Sequence, residues 1–293
     1  MSTPSSSSAA TVTGAEAASE WKLDAVGKWS EPSSFVVERE RTIAYAEATN
    51  DTHPAHVAGE LAPPVFSIVP VFQTIAPVVM GIVPGEIVMR VVHGEQDFTW
   101  HQPVVPGQTL LTRAAAVGVH GRSSGVVVVG KAETTLEDGT PVVDQYMTSF
   151  FRGASLDVHE GEEPPDHSAE RGAELATVEH AYDPDQTQRY SEASGDPMPI
   201  HLDDDFAKAM GLPGIIVHGL CTMAFCSRAV IETACPDDPS RLKRLAVRFA
   251  KIVQPSETVT HTLWDGGSGQ VAFETVSSSG GVAIKDGLAE VAP

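Results

Sequence analysis

Basic residues are scarce in this chain. Across 293 residues, 19 Lys and Arg face 39 Asp and Glu, for a formal net charge of −20. That imbalance repels phosphate backbones and anionic lipid heads, so nucleic-acid and membrane-surface partners are not expected. Cysteine is nearly absent: Cys221, Cys226 and Cys235 are an odd set with no C-x-x-C pair. This excludes a disulfide framework and reads as small buried hydrophobes in a reducing compartment. No Gly-rich phosphate loop, dinucleotide fingerprint or zinc-ligand spacing occurs, so no cofactor and no metal are expected. No apolar run approaches the roughly 20 residues of a membrane span. Met1 to Ala18 is rich in Ser, Ala and Thr, with neither a basic n-region nor an apolar core. Residues 1–30 are therefore expected to be a disordered tail, and the protein cytoplasmic. At 42% hydrophobic, the remainder can fill a real core.

What the chain does contain is a repeat. Tyr45-Ala-Glu-Ala-Thr-Asn-Asp-Thr-His-Pro-Ala-His56 aligns without gaps on Tyr190-Ser-Glu-Ala-Ser-Gly-Asp-Pro-Met-Pro-Ile-His201, a constant shift of 145 positions. Further on, Pro106-Gly-Gln-Thr109 matches Pro255-Ser-Glu-Thr258 at a shift of 149. Two matches in the same order predict two homologous halves.

Each half reads alike. A short helix (38–49; 184–193) leads into an Asp/His turn. A long apolar helix follows, Val65 to Gly81 in the first half and His218 to Thr233 in the second. Then come Val-rich, partly alternating strands over 87–100, 109–119, 125–135 and 142–151, and over 244–253, 258–264, 270–277 and 282–291. Asp138-Gly139 and Gly266-Gly267 read as hairpin tips. The expected domains are residues 31–153 and 175–293, joined by a linker over 154–174 that is rich in Glu, Pro, Gly and Ser.

Chemistry concentrates in the second half. Asp196 and His201 sit five positions apart on a turn holding Gly195, Pro197 and Pro199, ahead of Val217-His218-Gly219-Leu220 at the mouth of the apolar helix. A carboxylate and an imidazole sharing one water can move protons in both directions. Gly219 at a helix N-terminus offers an unpaired N–H and the positive end of the helix dipole to a developing oxyanion. Taken alone, a D-x₄-H pair is more often a turn cap beside a core histidine, and a glycine there can serve packing only.

The whole stretch from Tyr190 to Leu220 resembles the hydratase-2 motif of the MaoC-like (R)-specific enoyl-CoA hydratases and dehydratases. The resemblance extends over roughly Phe35 to Val291. It implies an α+β double hot-dog, two tandem domains in which a sheet wraps a long helix. The implied reaction is reversible hydration of trans-2-enoyl thioesters, carried by coenzyme A or acyl carrier protein, to (3R)-3-hydroxyacyl thioesters. Asp196 and His201 would be catalytic, Gly219 the oxyanion donor, and Ser227 part of the acyl pocket. The family further implies a homodimer and an N-terminal copy shaped to receive the acyl chain. Arg241, Lys243, Arg244, Arg248 and Lys251, the densest basic group, are candidates for a thioester carrier's phosphates or are ordinary strand-face residues.

Two departures from the family pattern stand out. Met198 occupies the place of the motif's usual Asn. In the first half Asp51 and His56 keep the dyad positions, but Val65-Phe66-Ser67-Ile68 replaces Val-His-Gly-Leu, so the two are expected to be vestigial or structural, with a second active site as the alternative. A hot-dog thioesterase and a non-catalytic acyl-thioester binder or partner subunit are the competing expectations, the second motivated by Met198.

Overall fold

The computed structural model describes residues 20–293. Most of the expected tail lies outside the described residues, but residues 20–30 correct it at its C-terminal end. Leu23–Ala25 forms a 3-10 turn, and Trp21 meets Phe151 edge-on at 6.1 Å. The N–H groups of Gly27 and Ser30 bond to the carbonyls of Ala116 and Ala114 at 2.8 Å. Four apolar residues within ten positions bury against the first-half core rather than remain in water.

The first half runs β1 (Ser33–Val36), α1 (Arg39–Ala48), α2 (Pro54–Val57), α3 (Phe72–Ile82), β2 (Val91–Trp100), β3 (Thr109–Arg122), β4 (Gly125–Leu136) and β5 (Pro141–Arg152). The connection carries β6 (His159–Gly161). The second half repeats the plan with β7 (Glu174–Ala181), α4 (Gln186–Ser194), α5 (Asp204–Ala209), α6 (Gly219–Ala234), β8 (Leu242–Phe249), β9 (Thr258–Gly267), β10 (Gln270–Ser277) and β11 (Val282–Val291).

All strands join one antiparallel sheet in the order β1-β3-β4-β5-β2-β8-β11-β10-β9-β7, with β6 on β3. Outward from the β2–β8 seam, the two sides present corresponding strands in the same order. At the seam Asp97 pairs with Ala246. These two are equivalent at the 149-residue shift of the repeat, so the pseudo-two-fold axis passes between them. Charge crosses the seam as well: Arg244 makes bonds of 2.7 and 3.1 Å to the Asp97 carboxylate, and Arg248 one of 2.7 Å to Glu95.

Helices α3 and α6 lie within this sheet, and one apolar core runs from Tyr45, Phe66 and Phe98 through Tyr190 to the whole inner face of α6. The molecule is an α+β double hot-dog. The long helix expected over Val65–Gly81 is interrupted: Pro64–Ile68 is a 3-10 turn, and α3 begins only at Phe72. Pro70, between them, has no N–H to give an α-helical bond. The short edge strands β1 and β7, largely exposed, carry too weak an alternation to be read from sequence. The second hairpin turns through Gly267, Ser268 and Gly269, all at positive φ (76°, 54°, 82°), later than the expected Gly266-Gly267 tip. The connection over 154–174 is pinned to the sheet by β6 rather than loose.

Candidate active site

Helix α4 buries Gln186, Thr187, Tyr190, Ser191, Ala193 and Ser194, a stripe at helical spacing that seats it on the core. Gly195 ends it in the left-handed region at φ 79°, a turn that glycine makes without strain. The chain then reverses through Asp196. Its carbonyl accepts from Ser191 Oγ at 2.7 Å and from His218 Nε2–H at 3.3 Å, and its carboxylate Oδ1 accepts the Met198 N–H at 3.2 Å. Pro199 then opens a 3-10 turn that ends on His201.

His201 is buried, and its Nδ1–H donates to the Ile216 carbonyl at 2.8 Å. A carbonyl can only accept, so the proton sits on Nδ1 and Nε2 carries the free lone pair. Asp196 and His201 share no direct hydrogen bond. Ligating atoms of Asp196, His201 and His218 all lie within 4.8 Å of one another. One water hydrogen-bonded to two of them spans up to about 5.6 Å, so the gap is water-sized.

Burial raises the Asp196 carboxyl above 3.8, a shift only partly offset by the attraction of His201. Burial lowers His201 below 6.5. His218 stacks on His201 with ring centroids 3.7 Å apart, and burial, reinforced by repulsion from His201, takes it down to about 3. A neutral imidazole face against His201 adds no charge to the pair.

Gly219 opens the 16-residue helix α6, where first-turn N–H groups have no helical carbonyl to bond. A Cβ at Gly219 would meet the Phe249 ring at 3.1 Å, so close packing against β8 also calls for glycine here. Beside Asp196 opens a cleft of about 200 Å³ walled by Ile68, Phe72, Tyr190, Ser194 and Leu220. Ile68 and Phe72 come from the first half. The apolar pattern marked both as core but could not say which half they would serve. Ser227 is buried on α6, its hydroxyl donating back to the Ala224 carbonyl at 2.8 Å, and it is not a wall of this cleft.

In the first half the dyad positions are closed on themselves. Asp51 Oδ2 accepts His56 Nδ1–H directly at 2.7 Å, and Asp51 Oδ1 accepts the His53 N–H at 2.9 Å. Burial would raise the Asp51 carboxyl, but these bonds and the His56 charge hold it below 3.8. Ser67, standing where the second half has Gly219, accepts Trp100 Nε1–H at 2.9 Å and lies in a 3-10 turn rather than at a helix mouth.

Four of the five basic residues are engaged within the protein, and Lys251 is exposed. Arg244 and Arg248 are spent on carboxylates: Asp97 and Glu290 for the first, Glu95 and Asp286 for the second. Arg241 and Lys243 donate to the carbonyls of Ala292 and Ser240.

Residues 161–286 match the MaoC like domain, and residues 24–145 match the FAS1-like dehydratase domain region. "3-Hydroxyacyl-thioester dehydratase Y" of Mycobacterium tuberculosis is 30% identical over 213 residues, covering 68% of this chain and 71% of the relative. The chain belongs to the MaoC-like dehydratase family. "Probable enoyl-CoA hydratase 2" of Dictyostelium discoideum is 29% identical over 210 residues, 70% of this chain and 71% of the relative. A solved MaoC-like dehydratase from Phytophthora capsici superposes with a TM-score of 0.80 at 25% identity, covering 92% of this chain and 96% of that one. Relatives from Drosophila melanogaster and Arabidopsis thaliana carry peroxisomal names; the fly protein is a multifunctional enzyme, of whose length this chain spans 33%.

Proposed function

We propose that this MaoC-like hydro-lyase hydrates trans-2-enoyl thioesters reversibly to (3R)-3-hydroxyacyl thioesters, with Asp196 and His201 working on one water. The observation that carries the reading is the open dyad: His201 and the Asp196 carboxylate bring ligating atoms within 4.8 Å of each other without a direct bond, and the Ile216 carbonyl, by holding Nδ1–H, leaves the lone pair on Nε2. Water oxygen bonds to C3 while an O–H proton passes to His201 Nε2. The C2=C3 π pair shifts to C1–C2 as the thioester C=O π pair moves onto oxygen, giving an enolate that the Gly219 N–H holds. Asp196, whose carboxyl burial pushes toward the protonated form, delivers a proton to C2. The step moves the dyad's one mobile proton from Asp196 to His201 Nε2, and its return to Asp196 through the next water resets the pair.

The cleft at Asp196 would receive the acyl group, with Ile68 and Phe72 as the contribution of the N-terminal copy. Coenzyme A and acyl carrier protein remain the two carriers, and comparison of matched thioesters separates them. A cytoplasmic homodimer is the accompanying expectation; light scattering and a fluorescent fusion test its two parts. Among the described residues no helix is long and apolar enough to cross a membrane.

The test is loss of the conjugated enoyl-thioester absorbance, with chiral analysis of product, for wild type and Asp196→Asn. Turnover to the (3R) product that falls by about 10²–10⁴ in the variant supports the dyad. Release of free thiol instead would sink the hydratase reading. A folded protein that binds enoyl thioesters without turnover would make it a binder.

A further inference from the structure

The segment that joins the halves lies against the outer strand β3 at contact distances that no side chain tolerates. β6 pairs with β3 so that Gly118 faces Gly161, Val119 faces Glu160 and His120 faces His159. A Cβ at Gly118 would lie 2.0 Å from the Glu162 carbonyl oxygen, and one at Gly161 would lie 1.9 Å from that of Val117. Glycine at both positions is the condition for this approach.

The approach brings His120, His159 and Glu163 together, with ligating atoms all within 4.8 Å of one another. His120 is only 2% exposed, and its Nε2–H donates to the Glu162 carbonyl at 2.8 Å. That bond leaves the lone pair on Nδ1, which is buried without a hydrogen-bond partner and lies 3.5 Å from Glu163 Oε1. A lone pair facing a carboxylate oxygen is repulsive unless a cation or proton lies between them. Two ligands held at 2.0–2.1 Å by one tetrahedral ion sit about 3.3 Å apart, which this pair nearly matches. The backbone carbonyl on the far ring nitrogen is the outer-shell partner that metal-bound histidines ordinarily have. Arg122 now supplies the positive charge: its Nη2 bonds to Glu163 at 2.5 Å, and its Nη1 approaches His159 Nδ1 at 3.4 Å. Arg122, His159 and Glu163 are partly or fully exposed, so the guanidinium can swing out and the two ligands can close in.

We propose that His120, His159 and Glu163 bind a divalent transition-metal ion of the zinc class, which displaces Arg122 and clamps the connecting segment to β3. Two imidazoles and one carboxylate suit zinc, with water in the remaining position. A net charge of −20 favours cation capture. The site lies apart from Asp196 and takes no part in hydration.

The test uses the full chain, free of any histidine tag and dialysed against chelator, titrated with Zn²⁺ by calorimetry and with Co²⁺ by visible absorption. One saturable ion per chain is expected, with a rise in Tm. Affinity should fall at least about tenfold in His159→Ala and Glu163→Gln, surface changes that leave the fold intact, and should tighten in Arg122→Gln. Absence of saturable binding, or binding unchanged in both His159→Ala and Glu163→Gln, overturns the proposal.

Discussion

Tyr45 and Tyr190, equivalent residues 145 positions apart in the repeat, meet hydroxyl to hydroxyl at 3.2 Å. Both are fully buried, and burial pushes both phenols up. Tyr190 also lies 4.8 Å from the His218 ring, and Tyr45 packs edge-on to Phe66 at 5.5 Å. The pseudo-two-fold contact between α1 and α4 therefore stands directly behind the imidazoles of the candidate site.

Tyr45→Phe strands the Tyr190 hydroxyl without its partner and should cost about 1–3 kcal/mol. Adding Tyr190→Phe removes the stranded group, so the double variant should recover part of that loss. Denaturant melts of the four-member cycle check this; strict additivity would contradict the coupling.

The two dyads should respond oppositely. Asp196→Asn should abolish most turnover with little change in stability, since its carboxylate makes one backbone bond. Asp51→Asn should cost about 1.5–3 kcal/mol by weakening a buried charge-assisted pair, while kcat of the folded fraction stays near wild type. Melts and rates on the same preparations separate the two effects.

Met198 acts through its backbone. Its N–H is the donor to Asp196 Oδ1, and the residue is 41% exposed. Met198→Asn should therefore leave stability within about 0.5 kcal/mol. Met198→Pro fits the native φ of −59° but deletes the donor. Loss of that bond raises the Asp196 pKa further, so the Asp196 limb of the pH–rate profile should move to higher pH. An unmoved limb would show that the bond does not tune the carboxyl.

Acid should destabilise the protein above the range where carboxylates titrate. Burial takes His93 to about 4, and His218 and His261 to about 3, from 6.5 in the unfolded chain. As pH falls below 6.5 the unfolded state binds protons that the folded state refuses, so stability is lost until the folded values are reached. Each histidine contributes about 1.4 kcal/mol per pH unit across its window. Asp196, raised rather than lowered, acts with the opposite sign near and above 3.8 and offsets a part. Melting midpoints between pH 7 and 5 should fall steadily, and a flat profile would refute the buried neutral histidines.

The repeat, the two helix-then-strands halves and the position of Asp196, His201 and Gly219 on one turn and one helix mouth were legible in the chain itself. They depend on local features: the spacing of apolar residues, the glycine and prolines around Asp196, and a match over 12 positions between Tyr45–His56 and Tyr190–His201. The break ahead of α3 is not among them: the apolar run from Val65 to Gly81 reads as one helix, although Pro70 stands inside it. What sequence could not decide is pairing between segments far apart. That Arg244 is spent on Asp97, and that Ser227 turns back on its own helix, follows from which surfaces meet in space. So do the Phe72 wall at the second-half site and the approach of His159 to His120. Chain-local preferences select each element; register across the β2–β8 seam and close approach of the connecting segment select their neighbours, and only the folded chain contains both.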